Sequence, residues 1–177
     1  MLFGTSIQGS NRPLYVIAAH RLHHKYPDQP EDPHSPRDRN FLETWLGRFK
    51  VNPVLLMKQL NKDDFKNKEL MFVQKHYYKI FFIFYTVFCL IDLPTALLFL
   101  SWSYTYSNIA TSAVAQFSHY TEDGVTYKTR NMPRIFSSLC LGEGLHKNHH
   151  ENPGSWNFAF ESTEVDPGAK FIRLFLK

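Results

Sequence analysis

Residues 80–102 read IFFIFYTVFCLIDLPTALLFLSW, with Asp92 as the only charge in 23 positions. A helix needs about 20 predominantly apolar residues to cross a bilayer, so this stretch predicts a transmembrane segment. Its length and Phe density argue against a buried helix of a soluble core. Lys75, Tyr77, Tyr78 and Lys79 stand at its start, where interfacial anchors belong. A weaker apolar stretch, SYTYSNIATSAVAQF, continues to Phe117. Together they make about 57 Å of helix at 1.5 Å per residue, nearly twice a hydrocarbon core of about 30 Å. A tight hairpin of two crossings over 80–118 fits better than one span. Its turn is expected between Asp92–Pro94 and Ser101–Ser103.

The rest of the chain is more polar. It has 177 residues, 20 Lys plus Arg, 16 Asp plus Glu and a net charge of +4, with a mean hydropathy of −0.32. That is one domain's length, and the small scattered excess of base excludes a nucleic-acid binder, which needs a basic stripe. Two cysteines exclude a disulfide framework. Cys89 and Cys140 lie in apolar surroundings and are expected as buried, reduced thiols. The start, MLFGTSIQGSNRP, lacks the basic and apolar regions of a signal peptide. Residues 25–40, with Pro27, Pro30, Pro33 and Pro36 amid charges, read as a loop. Residues 58–69 read as a solvated helix or linker.

Nine histidines are present, and six form two copies of one pattern. HRLHH supplies His20, His23 and His24; HKNHH supplies His146, His149 and His150. The spacing i, i+3, i+4 puts three rings on one helix face, within about 100° of arc. Neutral imidazole is the commonest metal ligand among side chains. Zinc normally takes four ligands in total, so six histidines from two distant segments suit a pair of metals better. Ligand type alone leaves iron, copper and zinc open. Two clusters that share metals must face one side of the membrane, and a hairpin between them satisfies this where a single span does not.

With these residues in view, the chain resembles the membrane-bound fatty-acid desaturases of the acyl-CoA Δ9 type. The matching pieces are QGS (Gln8–Ser10), HRLHHKYPDQPEDPHSP (His20–Pro36), GEGLHKNHHENP (Gly142–Pro153) and TEVDP (Thr163–Pro167). DPHSP after one histidine box and GEG directly before the other distinguish this branch from other histidine-box oxidases. The resemblance implies an all-α membrane protein, a transmembrane helical hairpin topped by a cytosolic helical cap that carries the boxes. It implies one desaturase-like domain over 1–177: second box and cap in 1–79, hairpin in 80–118, third box and C-terminal cap in 119–177. It implies O2-dependent introduction of a cis double bond at C9 of a fatty acyl chain by two irons, in fatty acid biosynthesis. The implied partners are the membrane, a fatty acyl thioester or acyl lipid, and an electron donor of the ferredoxin or cytochrome b5 type. The histidine boxes would face the cytosol, at the endoplasmic reticulum in a eukaryote or the plasma membrane in a bacterium.

The implied iron ligands are His20, His23, His24, His146, His149 and His150. VAQFSH matches the family's Asn-x-x-x-His element and adds His119, with Ala115 where the asparagine stands. Asp32, Glu143 and Asp166 are candidates for acceptors that fix imidazole tautomers, and Gln8 for the wall of the acyl tunnel. His34 is expected to structure its loop and His76 to sit at the membrane interface. Arg37, Arg39, Arg48 and Lys50 are candidates for meeting an acidic headgroup or donor. The family's first box, H-x-x-x-x-H, has no counterpart among the 19 residues before His20. The expectation is therefore an N-terminally truncated site with little or no activity in the isolated chain, and a C-terminal amphipathic helix, ending FIRLFLK, on the membrane surface. The rival readings are an acyl or alkyl hydroxylase on the same scaffold and an inactive metal-binding membrane fragment that needs a separate N-terminal partner.

Overall fold

The computed structural model describes residues 11–37, 40–45 and 51–176. In chain order the elements are α1 (Pro13–Lys25), α2 (Phe41–Trp45), α3 (Pro53–Met57), α4 (Lys62–Lys66), α5 (Lys68–Ile91), α6 (Leu93–Ser118), β1 (His119–Thr121), β2 (Tyr127–Thr129), α7 (Arg134–Leu139), α8 (His146–Glu151) and α9 (Pro167–Phe175). The described residues are mostly helical, as expected, with one short antiparallel ribbon among them. The chain forms two compact units. The first holds Met1–Tyr26, Pro30–His34 and Phe49–Asn108; the second holds Pro27–Gln29, Ser35–Arg48 and Ile109–Lys177.

In the first unit, α1 starts at Pro13, where a missing N–H costs nothing. Ala18, Ala19 and Leu22 recur at helical spacing and pack with Leu56, flanked by Tyr15, Tyr26, Leu55 and Leu60. At 100° per residue these positions occupy one side of α1, and His20, His23 and His24 fall on another. Burying the apolar side therefore turns the imidazoles away from this core. Two side-chain anchors fix the helix. The Leu14 N–H donates to Gln74 Oε1 at 3.1 Å. The Arg21 guanidinium donates to both oxygens of Asp64 at 2.6 and 2.9 Å and to the Gln59 carbonyl at 3.0 Å. Asp64 also closes the capping box of α4 with Asn61, so the segment expected as a solvated helix or linker is a short capped helix that holds α1.

The hairpin turn is a single residue. α5 ends at Ile91 and α6 starts at Leu93. Asp92 lies between them, accepting from Thr95 Oγ at 2.7 Å and from the Thr95 N–H at 3.3 Å. The lone charge of the apolar run is thus the cap of α6, and Pro94 sits in its first turn. Phe84 and Phe88 meet Phe99 across the turn, with ring centroids 6.5 and 5.9 Å apart. The break splits the apolar run into Ile80–Ile91 and Leu93–Trp102, so each arm carries only about 15–18 Å of apolar helix. Among the described residues no helix is long and apolar enough to cross a membrane.

In the second unit, β1 pairs with β2 from His119↔Thr129 to Thr121↔Tyr127. Asp123 ties the turn by accepting from the Val125 and Thr126 N–H groups and from Thr121 Oγ. These hydrogen bonds hold its carboxyl far below the usual carboxylate range. α9 starts where Asp166 accepts from the Ala169 N–H at 2.8 Å, and it exposes Phe171, Leu174 and Phe175. Cys89 and Cys140 are free but half-buried, less enclosed than expected.

The Arg21–Asp64 pair yields a prediction. Arg21→Ala should cost about 1 kcal/mol in a urea melt, because the guanidinium stays 40% exposed and partly screened. The hydrogen bond from Arg21 holds Asp64 below its ordinary value, so the folded state binds that proton less tightly than the unfolded chain. The contribution is fully present above about pH 4 and disappears as pH falls through the depressed folded value. The wild-type and mutant melts should converge in acid.

Candidate metal centre

Each unit carries its own set of imidazoles. In the first, His20, His23 and His24 project from one turn of α1. The Nε2 atoms of His20 and His24 are 3.1 Å apart, and the ring of His23 lies 5.6 Å from that of His24 and 6.4 Å from that of His20. His23 is buried, and its Nδ1 meets Asp32 Oδ2 at 2.8 Å. The other Asp32 oxygen accepts the His34 N–H at 2.7 Å, and the His34 ring stands edge-on to His23 at 5.7 Å. Asp32 thus bridges the His23 ring and the His34 backbone.

In the second unit, His119 directly follows α6, while His146, His149 and His150 lie on α8. His119, His146 and His150 each offer a nitrogen within 4.8 Å of the others. The Nε2 of His146 is 2.8 Å from that of His119 and 3.0 Å from that of His150. Imidazoles bound to one ion at about 2.0–2.1 Å bring their nitrogens to about 3 Å when the bonds are at right angles. The spacing in this set therefore fits a shared metal ion. The His149 ring is buried against Phe158 at 4.6 Å.

The turn that feeds α8 explains GEG. Gly142 has φ +98, and a Cβ there would come within 2.2 Å of Asp166 Oδ1. A Cβ on Gly144 would stand 2.7 Å from the Ser137 Cα. The first glycine supplies a backbone conformation that side chains disfavour, and the second lets α7 and the turn touch. The Gly144 carbonyl then accepts the Met132 N–H at 2.8 Å.

Asp166 places one oxygen on the Ala169 N–H and the other on the Phe158 N–H at 2.9 Å. It is a helix cap and loop tie. Glu143 keeps an exposed surface, yet loss of water around its carboxyl, followed by the Asp166 carboxylate, pushes its pKa up. Cys140 is raised as well, by burial first and Glu143 second. His76 packs on Phe72, with centroids 4.8 Å apart. Ala115 is buried in α6. Gln8, Arg39, Arg48 and Lys50 lie outside the described residues; Arg37 is exposed.

Sequence reasoning missed two groups. One is Asp28, whose Oδ2 lies 2.6 Å from His119 Nδ1. The other is a polar clamp on α8. Asn148 Nδ2 donates to Glu164 Oε2 at 2.8 Å and to the Phe158 carbonyl at 2.7 Å, and Asn131 Nδ2 donates to Asn148 Oδ1 at 2.8 Å and Glu164 Oε1 at 3.0 Å. The signal was present in the second case: Asn148 is the non-histidine core of HKNHH and Glu164 belongs to TEVDP.

The fatty acid desaturase family profile matches residues 8–157, most of the chain and both histidine boxes. The chain belongs to the fatty acid desaturase family. Among its curated relatives, the acyl-CoA Delta(11) desaturase of Choristoneura rosaceana is 28% identical, over 99% of this chain and 57% of that protein. The stearoyl-CoA desaturase of Bos taurus is 27% identical, over 86% of this chain and 47% of that one. Stearoyl-CoA desaturase 4 of Mus musculus is 30% identical, over 76% and 42%. The chain spans about half the length of the curated relatives it matches. No solved structure matches it.

Gly144→Ala should lower stability by about 1–3 kcal/mol, the usual cost of overpacking. The added methyl meets backbone, which cannot swing aside, and chemical denaturation of the purified chain measures the loss.

Proposed function

We propose that this protein serves the O2-dependent introduction of a cis double bond at C9 of a fatty acyl chain. Membership of the desaturase family and the two histidine sets, each tied to a buried carboxylate, support this reading. The resemblance of DPHSP and GEG to the acyl-CoA Δ9 branch favours C9 and an acyl thioester. In this reading His20, His23, His24, His119, His146, His149 and His150 hold two irons. Asp32 keeps the proton on Nδ1 of His23 and so presents its Nε2 lone pair. When bound, the irons supply the oxidising power to break unactivated C–H bonds, which no side chain can do. The balance is two hydrogens from the acyl chain, O2, two electrons and two protons giving the alkene and two waters. The electrons come from a ferredoxin or a cytochrome b5-type protein.

The protein's own residues do the positioning. The Ala18–Leu22 core and the Arg21 anchor keep the first histidine face fixed, and the Asn131–Asn148–Glu164 clamp does the same for α8. Exposed Phe82, Ile83, Val87, Leu90, Ile91, Leu97, Leu98 and Trp102 form an apolar sheath around the tip of the α5–α6 hairpin. Apolar surface of that extent marks a membrane or partner contact. Polar side chains in α6 close onto their own helix: Ser101 Oγ donates to the Leu97 carbonyl at 2.8 Å and Asn108 Nδ2 to the Tyr104 carbonyl at 2.7 Å. That arrangement suits lipid, where backbone and side-chain polar groups need internal partners. The hairpin enters the bilayer tip first from the cytosolic side, and the exposed apolar face of α9 lies on its surface.

The test is expression of the gene in a host lacking a desaturase. The expected result is a cis-9 monounsaturated acyl chain that disappears in His20→Ala and His146→Ala, with the protein retained by carbonate-washed membranes. A hydroxylated acyl product would instead establish the hydroxylase reading, and product that survives both substitutions would remove the histidine centre from the reaction.

A further inference from the structure

Asp28 belongs to the proline-rich loop after α1, and nothing in its sequence context marks it. The backbone there turns into the left-handed region, with φ 58, a conformation that Asp tolerates better than most residues. The turn sends its side chain inward, and the residue is 6% exposed. One oxygen accepts from Ser35 Oγ at 3.1 Å, and Ser35 Oγ in turn accepts the Arg37 N–H at 3.1 Å. The other oxygen lies 2.6 Å from Nδ1 of His119, across 91 residues of sequence, with both side chains at 5% exposure or less.

A carboxylate has only acceptors, so this contact keeps a proton on His119 Nδ1. A neutral imidazole with that proton carries its lone pair on Nε2. That is the atom facing His146 Nε2 at 2.8 Å. The arrangement matches the Asp32–His23 pair of the first unit, in which a carboxylate also grips Nδ1. His119 is set apart by its place in the chain. It follows the end of α6, as the first residue of β1, rather than lying within a histidine-box helix. A loop-borne carboxylate grips its ring.

We propose that Asp28, oriented by Ser35, is the positioning residue that locks His119 in the Nδ1-protonated tautomer and aims its Nε2 at the metal shared with His146 and His150. This rests on the metal-centre reading given above. Carboxylates behind metal-binding imidazoles raise their basicity and fix their rotation, and losing one typically weakens metal binding by about 10–100-fold.

The test uses the purified full chain, titrated with Co(II) alone and followed by its ligand-field absorption. Wild type is compared with Asp28→Asn, Ser35→Ala and the control Asp123→Asn, and each is also melted without metal. Asp28→Asn should weaken Co(II) binding by about 10–100-fold while the metal-free melt stays near that of wild type; Asp123→Asn should bind as wild type does. In the metal-free, 15N-histidine-labelled chain, the His119 signal, assigned by its absence in His119→Ala, should report Nδ1-protonated imidazole in wild type and a tautomer mixture in Asp28→Asn. Co(II) affinity within twofold of wild type in Asp28→Asn overturns the proposal, as does a lowered melt with unchanged affinity, which would make Asp28 structural. Should Asp28→Asn fail to fold, Ser35→Ala decides by the same twofold criterion. If His119→Ala binds Co(II) like wild type, the metal-centre reading has failed, and the tautomer signal still decides for or against the Asp28 lock.

Discussion

An imidazole presents one nitrogen to a metal reliably only when its other nitrogen is held. In this protein two buried carboxylates stand against imidazole Nδ1 atoms, Asp32 on His23 and Asp28 on His119. Both come from the proline-rich loop after α1. That loop is charged and looks solvated on paper, yet its acids turn inward at Asp28 and Asp32. Burying a carboxylate without a partner is costly. The imidazoles, the Ser35 hydroxyl and the His34 N–H are the groups that make these burials tolerable.

The histidine-bearing helices are short or lightly packed and depend on neighbours for their position. α1 is held by small residues on one face, which let it approach Leu56 closely, and by the Arg21 guanidinium on Asp64. α8 has six residues, too few to persist as an isolated helix. It is held by the GEG turn at one end and by amide and carboxylate hydrogen bonds through Asn148. Glu164 joins this clamp while also accepting the Phe160 and Glu161 N–H groups at 2.9 and 3.1 Å, so one carboxylate organises both the loop and the helix.

The hairpin shows how a single residue redirects a long apolar run. Read as a continuous string, Ile80–Trp102 has the length of a span. Asp92 caps a new helix in its middle, and the two arms fold back with their phenylalanines in contact. Exposed apolar side chains then surround the tip of the hairpin. A hairpin was expected from the length of the apolar run, and its turn falls at the Asp92 end of the bracket, where Asp and Pro two residues apart form a local stop-and-start signal.

What the sequence determined by itself was local. The i, i+3, i+4 spacing puts the rings of each trio together because helix geometry is fixed by backbone sterics, and the length of the apolar run called for a turn between Asp92 and Ser103. GEG, HKNHH and TEVDP were recognisable as motifs. Their physical reasons were not legible, since Gly142 answers to Asp166 and Asn148 to Glu164 across loops. Only the tertiary structure decided which acid stands behind which histidine. Glu143, Asp166 and Asp28 look alike in the string, but Asp166 caps α9 and Asp28 reaches His119 from 91 residues away. Hydrogen bonds act at about 3 Å through space, and no spacing rule along the chain encodes a loop that turns inward to make one.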